Sequence, residues 1–479
     1  MQLQALLQDI EVLSHNVDLT TEITGVSYDS RQVRPGHLFV AISGFAVDGH
    51  RFISKALDQG AAAVLCQQPQ PDNVPQIVVR DSRAALAVLG ANWFDHPADA
   101  MQIIGITGTN GKTTTTYLLK HVLERCLGAK VGLIGTIQNM IGQEVIPTER
   151  TTPESFELQA LFARMRDAGC THVVMEVSSH ALYLNRVDCV RFRVGAFTNL
   201  TEDHLDFHKT MEAYRAAKAL LFDHCEDGVF NLDDEAVRRT AEKAPCRVFT
   251  TAIVSDAADL RAESVCLGSD HVAFDADYAG RVWPVRLGIP GRFTVYNALT
   301  VMGIALCLGI AMEELLPALA CAKSVKGRVE VVPTPGKDYT VLIDYAHTPD
   351  ALENVLRSVR GFCRGRLIAV FGCGGDRDPI KRPIMGKIGV ELSDLAVITS
   401  DNPRTEDPGK IIADILEGVR GLDKPFRVVE NRREAIAWAM AEARKDDIIV
   451  LCGKGHETYQ ILGTEKTHLD EREEVAKNL

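Results

Sequence analysis

The sequence contains no C-x-x-C pair, although 12 cysteines are scattered through its 479 residues. Single cysteines of this kind are typical of reduced thiols in a cytosolic enzyme, and they argue against a disulfide framework or a cysteine-based zinc site. The chain also lacks a surplus of positive charge, because its formal net charge is −12. A negative net charge argues against a nucleic-acid-binding surface. In such a protein an anionic substrate has to be bound by locally gathered cations and helix N-termini.

Long apolar runs are missing as well. No run is long enough to cross a bilayer, and residues 1–10 lack the basic and apolar regions of a signal peptide. The sequence has no internal repeat and no low-complexity segment. These absences predict a cytoplasmic globular protein, and the length predicts about three domains.

The most informative stretch that is present is a glycine-rich turn between an apolar run and a helical pattern. Ile103–Ile106 is typical of a buried parallel strand, and apolar residues recur at helical spacing over Thr113–Leu127. Gly-Thr-Asn-Gly-Lys-Thr-Thr, residues 108–114, lies between them. Backbone N–H groups of such a loop face a phosphate, to which Lys112 adds a charge and Thr113 a hydroxyl group for Mg²⁺.

Further polar residues follow the strands of the same region, which alternate with helices. Such alternation predicts a mostly parallel sheet with ligands at the C-terminal strand ends. Glu176 ends an apolar run, where a phosphate-binding loop enzyme needs a carboxylate near Mg²⁺, although a buried structural glutamate is the alternative. His204 and His208 are spaced i, i+4, which leaves three alternatives. The two histidines ligate zinc together, both are simply solvated, or one of them is a Mg²⁺ ligand. By spacing alone, Lys218 is an ordinary helix lysine.

The chain predicts three α/β domains. Residues 1–98 form a small domain of short strands and helices, and residues 99–329 form the domain of the phosphate loop. From residue 330 to 479, five strand-like runs alternate with helices as in a doubly wound, Rossmann-like domain. Residues 372–375 do not match G-x-G-x-x-G, so no NAD is predicted.

Polar clusters also mark the last domain and the segment before it. Four clusters follow strands of the last domain and predict a site at one sheet edge: 344–349, 374–378, 401–404 and 453–457. Asn297, near the start of a long apolar helix, caps that helix or contacts an adenine base. Arg328 carries positive charge towards phosphates.

Five segments together resemble the Mur ligases: Gly108-Thr-Asn-Gly-Lys-Thr-Thr, Met175-Glu-Val-Ser-Ser-His180, Asn199-Leu-Thr-Glu-Asp-His204, Asp344-Tyr-Ala-His-Thr-Pro and Asp401-Asn-Pro-Arg404. The resemblance runs from Asp29-Ser-Arg to Gly453-Lys-Gly-His-Glu and so covers all three domains. It implies a substrate domain, a central ATPase domain and an amino-acid domain in an ATP-dependent ligase of peptidoglycan synthesis. In such a reaction ATP converts the D-glutamate carboxylate of UDP-MurNAc-L-Ala-D-Glu to an acyl phosphate, which an amine then attacks.

By motif, the resemblance implies an ATP site and a Mg²⁺ site. The residues carried over to ATP are Gly108, Thr109, Asn110, Gly111, Lys112, Thr113, Thr114, Asn297 and Arg328. The Mg²⁺ ligands are Thr113, Glu176, His204 and Lys218, and the catalytic set is Lys112, Lys218, Glu176 and His204. Lys218 stands where the family carries a carbamylated lysine. An ammonium group cannot ligate Mg²⁺, but its CO₂ adduct is an anion that can.

The resemblance also implies the positions that hold the UDP-muramoyl dipeptide. These are Tyr28, Ser30, Phe45, Ala46, Val47, Arg150, Thr151, Thr152, Ser178, Leu184 and Arg186. The sequence departs from the family pattern at Leu184, where relatives carry glutamine, and at Arg150, where asparagine occurs. Ile106 likewise replaces the first glycine of a strict Walker A loop.

Asp401-Asn-Pro-Arg404 resembles the signature of family members that add meso-diaminopimelate. That amino acid has a second carboxylate at its far end, which Arg404 suits as a bidentate partner. The implied pocket consists of Arg377, Asp401, Asn402, Pro403, Arg404, Gly453 and Glu457, with Glu457 as the partner of the distal ammonium.

Three alternatives remain at this point. An L-lysine-adding relative has no second carboxylate to bind, and a folylpolyglutamate- or cyanophycin-type ligase shares the phosphate loop but is not expected to carry Asp29-Ser-Arg. A non-catalytic nucleotide-gated sensor predicts loss of the Mg²⁺ ligands or of Lys218, and all are present. We expect a monomer that binds small-molecule substrates, without nucleic acid and without membrane insertion.

Overall fold

The computed structural model describes residues 1–44, 47–148 and 150–479. The chain divides into two compact units, Met1–Phe249 and Thr250–Leu479. All 12 cysteines are free thiols. Across the described ranges, no helix combines the length and the apolar character needed to span a membrane.

The first unit begins with a five-stranded sheet in the order β1-β5-β4-β3-β2, in which β1 runs antiparallel to β5 and the other neighbours are parallel. Its elements are α1 Leu3–Leu6, β1 Val12–His15, β2 Gly25–Ser27, β3 His37–Val40, α2 Ile53–Asp58, β4 Ala63–Cys66, β5 Gln76–Val79 and α3 Ser82–Trp93. The Asp81 carboxylate caps α3 by accepting hydrogen bonds from the N–H groups of Arg83 and Ala84. Leu86 and Leu89 of α3 then pack on the sheet core.

A second sheet of the first unit has the order β12-β11-β6-β10-β7-β8-β9. Its elements are β6 Gln102–Thr107, α4 Lys112–Leu127, β7 Val131–Ile134, β8 Asn139–Ile141, β9 Glu144–Ile146, α5 Ser155–Asp167, β10 His172–Glu176, α6 Ser179–Tyr183, β11 Phe192–Phe197, α7 Leu205–His208, α8 Met211–Ala219, β12 Cys225–Asn231 and α9 Glu235–Ala241. β7, β10, β6, β11 and β12 are mutually parallel, whereas β8 and β9 form an antiparallel hairpin.

The register of this sheet positions the loops that follow its strands. Ile106 pairs with Glu176 of β10 on one side and with Ala196 of β11 on the other. The strands β6, β10 and β11 therefore end at the same edge of the sheet. The loops carrying Gly108, Ser178 and Thr198 emerge there together.

The second unit combines an antiparallel meander with a six-stranded sheet. A strand that spans the division, β13 Arg247–Ala252, is followed by β14 Leu260–Leu267, β15 Val272–Tyr278, β16 Arg281–Leu287, α10 Arg292–Cys307 and α11 Met312–Ala320. The larger sheet has the order β17-β18-β22-β19-β20-β21, and only its β17 pairs antiparallel among the described strands. Its parallel core confirms the predicted doubly wound pattern.

The elements of this sheet and its surroundings complete the chain. They are β17 Glu330–Val332, β18 Thr340–Asp344, α12 Pro349–Arg360, β19 Leu367–Phe371, α13 Lys381–Leu392, β20 Leu395–Ile398, α14 Pro408–Glu417, β21 Phe426–Val428, α15 Arg432–Glu442, β22 Ile448–Cys452, β23 Tyr459–Leu462, β24 Glu465–His468 and α16 Glu471–Lys477. β23 and β24 form a separate antiparallel hairpin.

Candidate active site

The glycine-rich loop joins β6 to the start of α4, as the sequence predicts. The Lys112 ammonium folds back over the loop and donates hydrogen bonds to the carbonyl groups of Gly108 at 2.8 Å and Thr109 at 2.9 Å. Thr113 and Thr114 are buried in the first turn of α4. The N–H groups of this turn and the helix dipole attract an anion, so the loop can cradle phosphates.

The loop after β11 holds the glycine-rich loop in place. The Asn110 N–H donates to Asn199 Oδ1 at 2.9 Å, and the Thr109 N–H donates to the Asn199 carbonyl at 2.9 Å. The Thr198 hydroxyl donates to the Asn110 carbonyl at 2.7 Å. These contacts fix the backbone before a ligand arrives.

Replacing Gly108 by alanine is expected to remove nucleotide binding. Gly108 has a φ of +142°, and a Cβ there would lie 1.9 Å from Thr198 Oγ1, so the Thr198 hydroxyl that binds the Asn110 carbonyl has to move. Gly128→Ala is the matched control, because Gly128 has a φ of +60° but no atom within 4 Å of an added Cβ. The control is expected to lose about 1 kcal/mol of stability and to keep its affinity for ATP, measured by calorimetry. Equal loss of affinity in both variants would contradict the steric account.

Glu176 lies buried beside the first turn of α4. Its carboxylate accepts hydrogen bonds from the Thr113 hydroxyl at 3.0 Å and from both the N–H and the hydroxyl of Thr136 at 3.0 Å. Carboxylate and hydroxyl oxygens are the ligands that Mg²⁺ prefers. The pairing of Thr113 with Glu176 therefore fits a divalent cation next to the phosphate cradle. Thr136 was missed from the sequence, because a lone threonine after a strand carries no signal.

Lys218 reaches the same loop from α8. Its side chain is 1% exposed, and its ammonium donates to the Gly108 carbonyl at 2.8 Å and lies 4.6 Å from the Tyr214 ring centroid. Burial, and then the neighbouring charge of Lys112, lowers the pKa of Lys218 well below its ordinary value. An ordinary solvated helix lysine would not have this environment.

The two histidines of the i, i+4 pair differ in environment. His204 is half exposed, its imidazole lies 3.4 Å from Asp203 Oδ2, and its ring centroid lies 6.1 Å from that of Tyr214. His208 is buried, with Nε2 at 2.9 Å from Ser179 Oγ, and burial lowers its pKa to about 4. The solvated alternative is therefore wrong for His208.

The predicted dipeptide positions of the first unit surround the same strand end. The Thr152 hydroxyl donates to the Glu176 carbonyl at 2.8 Å, and the Ser178 N–H donates to that hydroxyl at 3.2 Å. The Arg186 guanidinium donates to the Thr152 carbonyl at 3.2 Å. Thr151 Oγ1 lies 3.0 Å from Thr136 Oγ1. Leu184, which departs from the family pattern, is buried.

Two of the predicted substrate positions, Tyr28 and Arg150, line a pocket of about 500 Å³ together with Glu154 and Glu157. The Tyr28 hydroxyl donates to Glu157 Oε1 at 2.8 Å. Ser30 is buried, whereas Val47 is about half exposed. The predicted positions Phe45 and Ala46 lie outside the described residues.

Three arginines converge on one carboxylate in the same unit. Glu154 lies 3.2 Å from Arg186, 3.5 Å from Arg150 and 3.8 Å from Arg83. Positive charge therefore exceeds negative charge at this cluster, as an anionic substrate requires. Arg83 and Glu154 were missed, because they come from separate segments whose contact only folding creates.

In the second unit, four of the residues predicted to bind the amino acid lie in one cluster: Asp401, Asn402, Gly453 and Glu457. Asn402 Nδ2 donates to Glu457 Oε2 at 3.0 Å, and Gly453 approaches Asp401 so closely that a Cβ would lie 2.4 Å from Oδ2. The Arg404 guanidinium donates to the Gly375 carbonyl at 2.8 Å. Pro403, which lies between Asn402 and Arg404 in the sequence, is also buried.

Two of the predicted residues need separate description. Arg404 has a φ of +51°, and the β23–β24 hairpin holds it: its N–H donates to the Ile461 carbonyl, and its carbonyl accepts from the Gly463 N–H. Arg377 lies on the exposed loop after β19 and donates to the Asp376 carbonyl at 3.0 Å. Arg377 thus belongs to the loop after β19, and Arg404 belongs to the loop after β20.

The nucleotide residues predicted outside the phosphate loop lie in the second unit. Asn297 is buried within α10, whose N-cap is Gly291, so the predicted capping role is wrong. The Arg328 guanidinium lies 5.5 Å from the centroid of the Tyr345 ring. Asp344 accepts hydrogen bonds from the N–H groups of Val329 and Ala346, and burial raises the pKa of its carboxyl group.

A glycine-rich loop with a lysine at the start of a helix, a buried carboxylate beside it and a parallel sheet define a P-loop enzyme of phosphoryl transfer. Models of three Mur ligase domains match the chain: "Mur ligase family, catalytic domain" over residues 22–94, "Mur ligase middle domain" over 106–305 and "Mur ligase, glutamate ligase domain" over 327–455. The chain belongs to the Mur ligase family.

Individual relatives are similar over their whole length. UDP-N-acetylmuramoyl-L-alanyl-D-glutamate--2,6-diaminopimelate ligase 1 of Clostridium acetobutylicum is 49% identical, with 100% of this chain and 99% of the relative covered. The corresponding ligase of Clostridium botulinum is 48% identical over 99% of each chain. A solved structure of a ligase of this name has 30% identity and a TM-score of 0.74, covering 100% of this chain and 98% of the other.

Proposed function

We propose that the protein is an ATP-dependent ligase that joins meso-diaminopimelate to the D-glutamate carboxylate of UDP-MurNAc-L-Ala-D-Glu. The full-length identity of 49% with a ligase of that name carries the proposal. The site residues support it, because a phosphate cradle and a surplus of cations suit the nucleotide and the acidic substrate. We assign the UDP-muramoyl part of the acidic substrate to residues 1–98, its dipeptide part and ATP to 99–329, and the amino acid to 330–479.

The reaction follows from the chemistry of a carboxylate. A carboxylate is a poor acyl donor, so its oxygen first attacks the γ-phosphate of ATP to give an acyl phosphate and ADP. The amine of the amino acid then attacks the acyl carbon and expels phosphate, with loss of a proton from nitrogen. Lys112 stabilises the charge that develops on the phosphoryl group, while the N–H groups of the loop orient it.

Thr113 and Glu176 and, by the family motif, His204 would hold Mg²⁺, which neutralises phosphate charge when it is bound. Lys218 fits this set as a carbamate. The neutral amine attacks CO₂, an N–C bond forms at Nζ, and a proton leaves to solvent, so that the neutral amine becomes an anion. The lowered pKa of Lys218 supports this step, because it raises the fraction of neutral amine at neutral pH.

Removal of CO₂ is therefore expected to inactivate the enzyme reversibly. Prolonged equilibration in CO₂-free buffer should lower phosphate release about tenfold or more, because the metal site then lacks an anionic ligand, and added bicarbonate should restore it. Lys218→Arg should be inactive at every bicarbonate concentration, whereas the exposed Lys243→Arg should behave as wild type. NMR with isotopically labelled CO₂ provides the direct measurement. A fully active Lys218→Arg variant would exclude the carbamate.

Phosphate release with defined substrates tests the function as a whole. Purified protein is given ATP, Mg²⁺ and UDP-MurNAc-L-Ala-D-Glu with either meso-diaminopimelate or L-lysine. We expect release with meso-diaminopimelate and a tripeptide product in mass spectrometry. Preference for L-lysine would contradict the assignment of the amino acid, and release with a folate substrate would support the folylpolyglutamate alternative. No release with any acceptor would contradict the ligase function.

A further inference from the structure

Lys454 is the most completely buried cation of the amino-acid cluster. Its side chain is 0% exposed, and its ammonium contacts three residues: Asn402 Oδ1 at 2.6 Å, Asp401 Oδ1 at 3.3 Å and Glu457 Oε2 at 3.4 Å. All three partners are among the residues predicted to bind the amino acid, whereas Lys454 itself is not. A buried lysine is stable only when such partners compensate its charge.

The ammonium determines which way the Asn402 amide faces. Lys454 Nζ and the Ile461 N–H are both donors, and both point at one end of the amide, at 2.6 Å and 2.9 Å. That end must be the oxygen, because an amide NH₂ group accepts no hydrogen bond. Nδ2 is thereby directed to Glu457, to which it donates at 3.0 Å. Removal of the ammonium would remove the stronger of the two constraints.

Two carboxylates of the cluster share one buried ammonium. Arg432 and Glu471, both 0% exposed, pair with each other at 2.7 Å behind the cluster. Asp401 and Glu457 then share the single ammonium of Lys454. Burial would raise the pKa of Asp401, but Lys454 and Arg432 outweigh it and hold that pKa below its ordinary value, so Asp401 stays ionised.

Of the two carboxylates that share the Lys454 ammonium, Glu457 is the more exposed. The Glu457 side chain is 15% exposed, compared with 9% for Asp401 and 0% for Lys454. Lys454 and Asn402 both bind the same oxygen of Glu457, Oε2. A ligand ammonium would complement the charge of this carboxylate.

We propose that Lys454 is a positioning residue for the amino-acid substrate: it holds Asn402 and Glu457 so that Glu457 receives the distal ammonium of a diamino acid. This inference rests on the proposed function and deepens it. Lys454 does not touch the substrate, because it is buried behind its partners. Its effect is expected in the KM for the diamino acid and not in the phosphoryl-transfer chemistry.

A double-mutant cycle in the full-length enzyme tests this role. Lys454→Met should raise the KM for meso-diaminopimelate about tenfold or more, because a charged hydrogen bond is lost, with kcat and the KM values for ATP and UDP-MurNAc-L-Ala-D-Glu within about twofold. Glu457→Gln should raise the same KM at least as much. In the Glu457→Gln background, Lys454→Met should have no further effect, because it acts through Glu457.

Lys120→Met is the matched control, since Lys120 is also buried and pairs with Glu124 at 2.5 Å in the first unit. It should leave the KM for the diamino acid unchanged. If Lys454→Met does not fold, Lys454→Met/Asp401→Asn restores the charge balance and is compared with Asp401→Asn alone. The double variant should then show the additional tenfold rise.

The outcomes separate the inference from the function on which it rests. Any of three results would overturn the positioning role alone. The first is an unchanged KM in Lys454→Met, and the second is an additive effect on KM in the Glu457→Gln background. The third is a KM that rises equally for all three substrates. Wild-type enzyme that releases no phosphate with meso-diaminopimelate would overturn the proposed function and this inference with it.

Discussion

Lys112→Ala is expected to lower phosphate release about a thousandfold or more, the scale on which a single cation stabilises a phosphoryl transition state. The Lys112 ammonium lies over the loop, at 2.8 Å from the Gly108 carbonyl and 2.9 Å from that of Thr109. Alanine leaves the backbone cradle but removes the charge, so kcat should fall far more than the affinity for ATP. Single-turnover measurements with all substrates present separate these two quantities.

Lys130→Ala is the control for this variant. Lys130 likewise donates to a backbone carbonyl, that of Ala168, at 2.8 Å, but it is exposed and lies at the other end of α4. Its loss should change neither kcat nor KM by more than about twofold. Continued turnover by Lys112→Ala would contradict the role of the loop in activating the acid, and the proposed mechanism with it.

Arg404→Met is expected to lower kcat/KM for meso-diaminopimelate about a hundredfold and to leave that for L-lysine within a few-fold. The reason is that diaminopimelate presents a distal carboxylate and L-lysine does not. The hairpin β23–β24 binds the Arg404 backbone on both sides, so the loop should keep its shape when the guanidinium is removed. Competition assays with both amino acids measure the change in preference.

Arg360→Met is the control, because Arg360 is partly exposed and pairs with Asp394 at 2.7 Å on the same unit. It should change the rate with neither amino acid. If Arg404→Met lost L-lysine activity to the same extent as diaminopimelate activity, Arg404 would have a structural role and would not select the amino acid.

The phosphate loop was predictable because its signal is local. The apolar run, the glycines and the helical spacing lie within one stretch, and the structure has β6 and α4 in the predicted places. Glu176 was likewise predictable, since it ends an apolar strand, and its neighbour in register is Ile106. Parallel strands end at a common edge, so residues just beyond them meet without any further information.

The β14–β16 meander and the β23–β24 hairpin were not predicted. Their strands alternate between buried and exposed residues or are largely exposed, so they lack the continuous apolar runs that marked the parallel strands. The hairpin nevertheless contacts Arg404 through two backbone hydrogen bonds. The part of the amino-acid site that supports Arg404 thus came from an element without a clear sequence pattern.

The sequence by itself determined the three-part α/β organisation, the phosphate loop and the family, because each depends on periodicity or on motifs that are contiguous in the chain. Only the tertiary structure decided that Lys218 is buried against Gly108, that Arg83 joins Glu154, and that Lys454 orients Asn402. These contacts join residues 110, 71 and 52 positions apart. A side chain's charge state and orientation depend on which distant groups surround it, and that is settled only when the strands have paired.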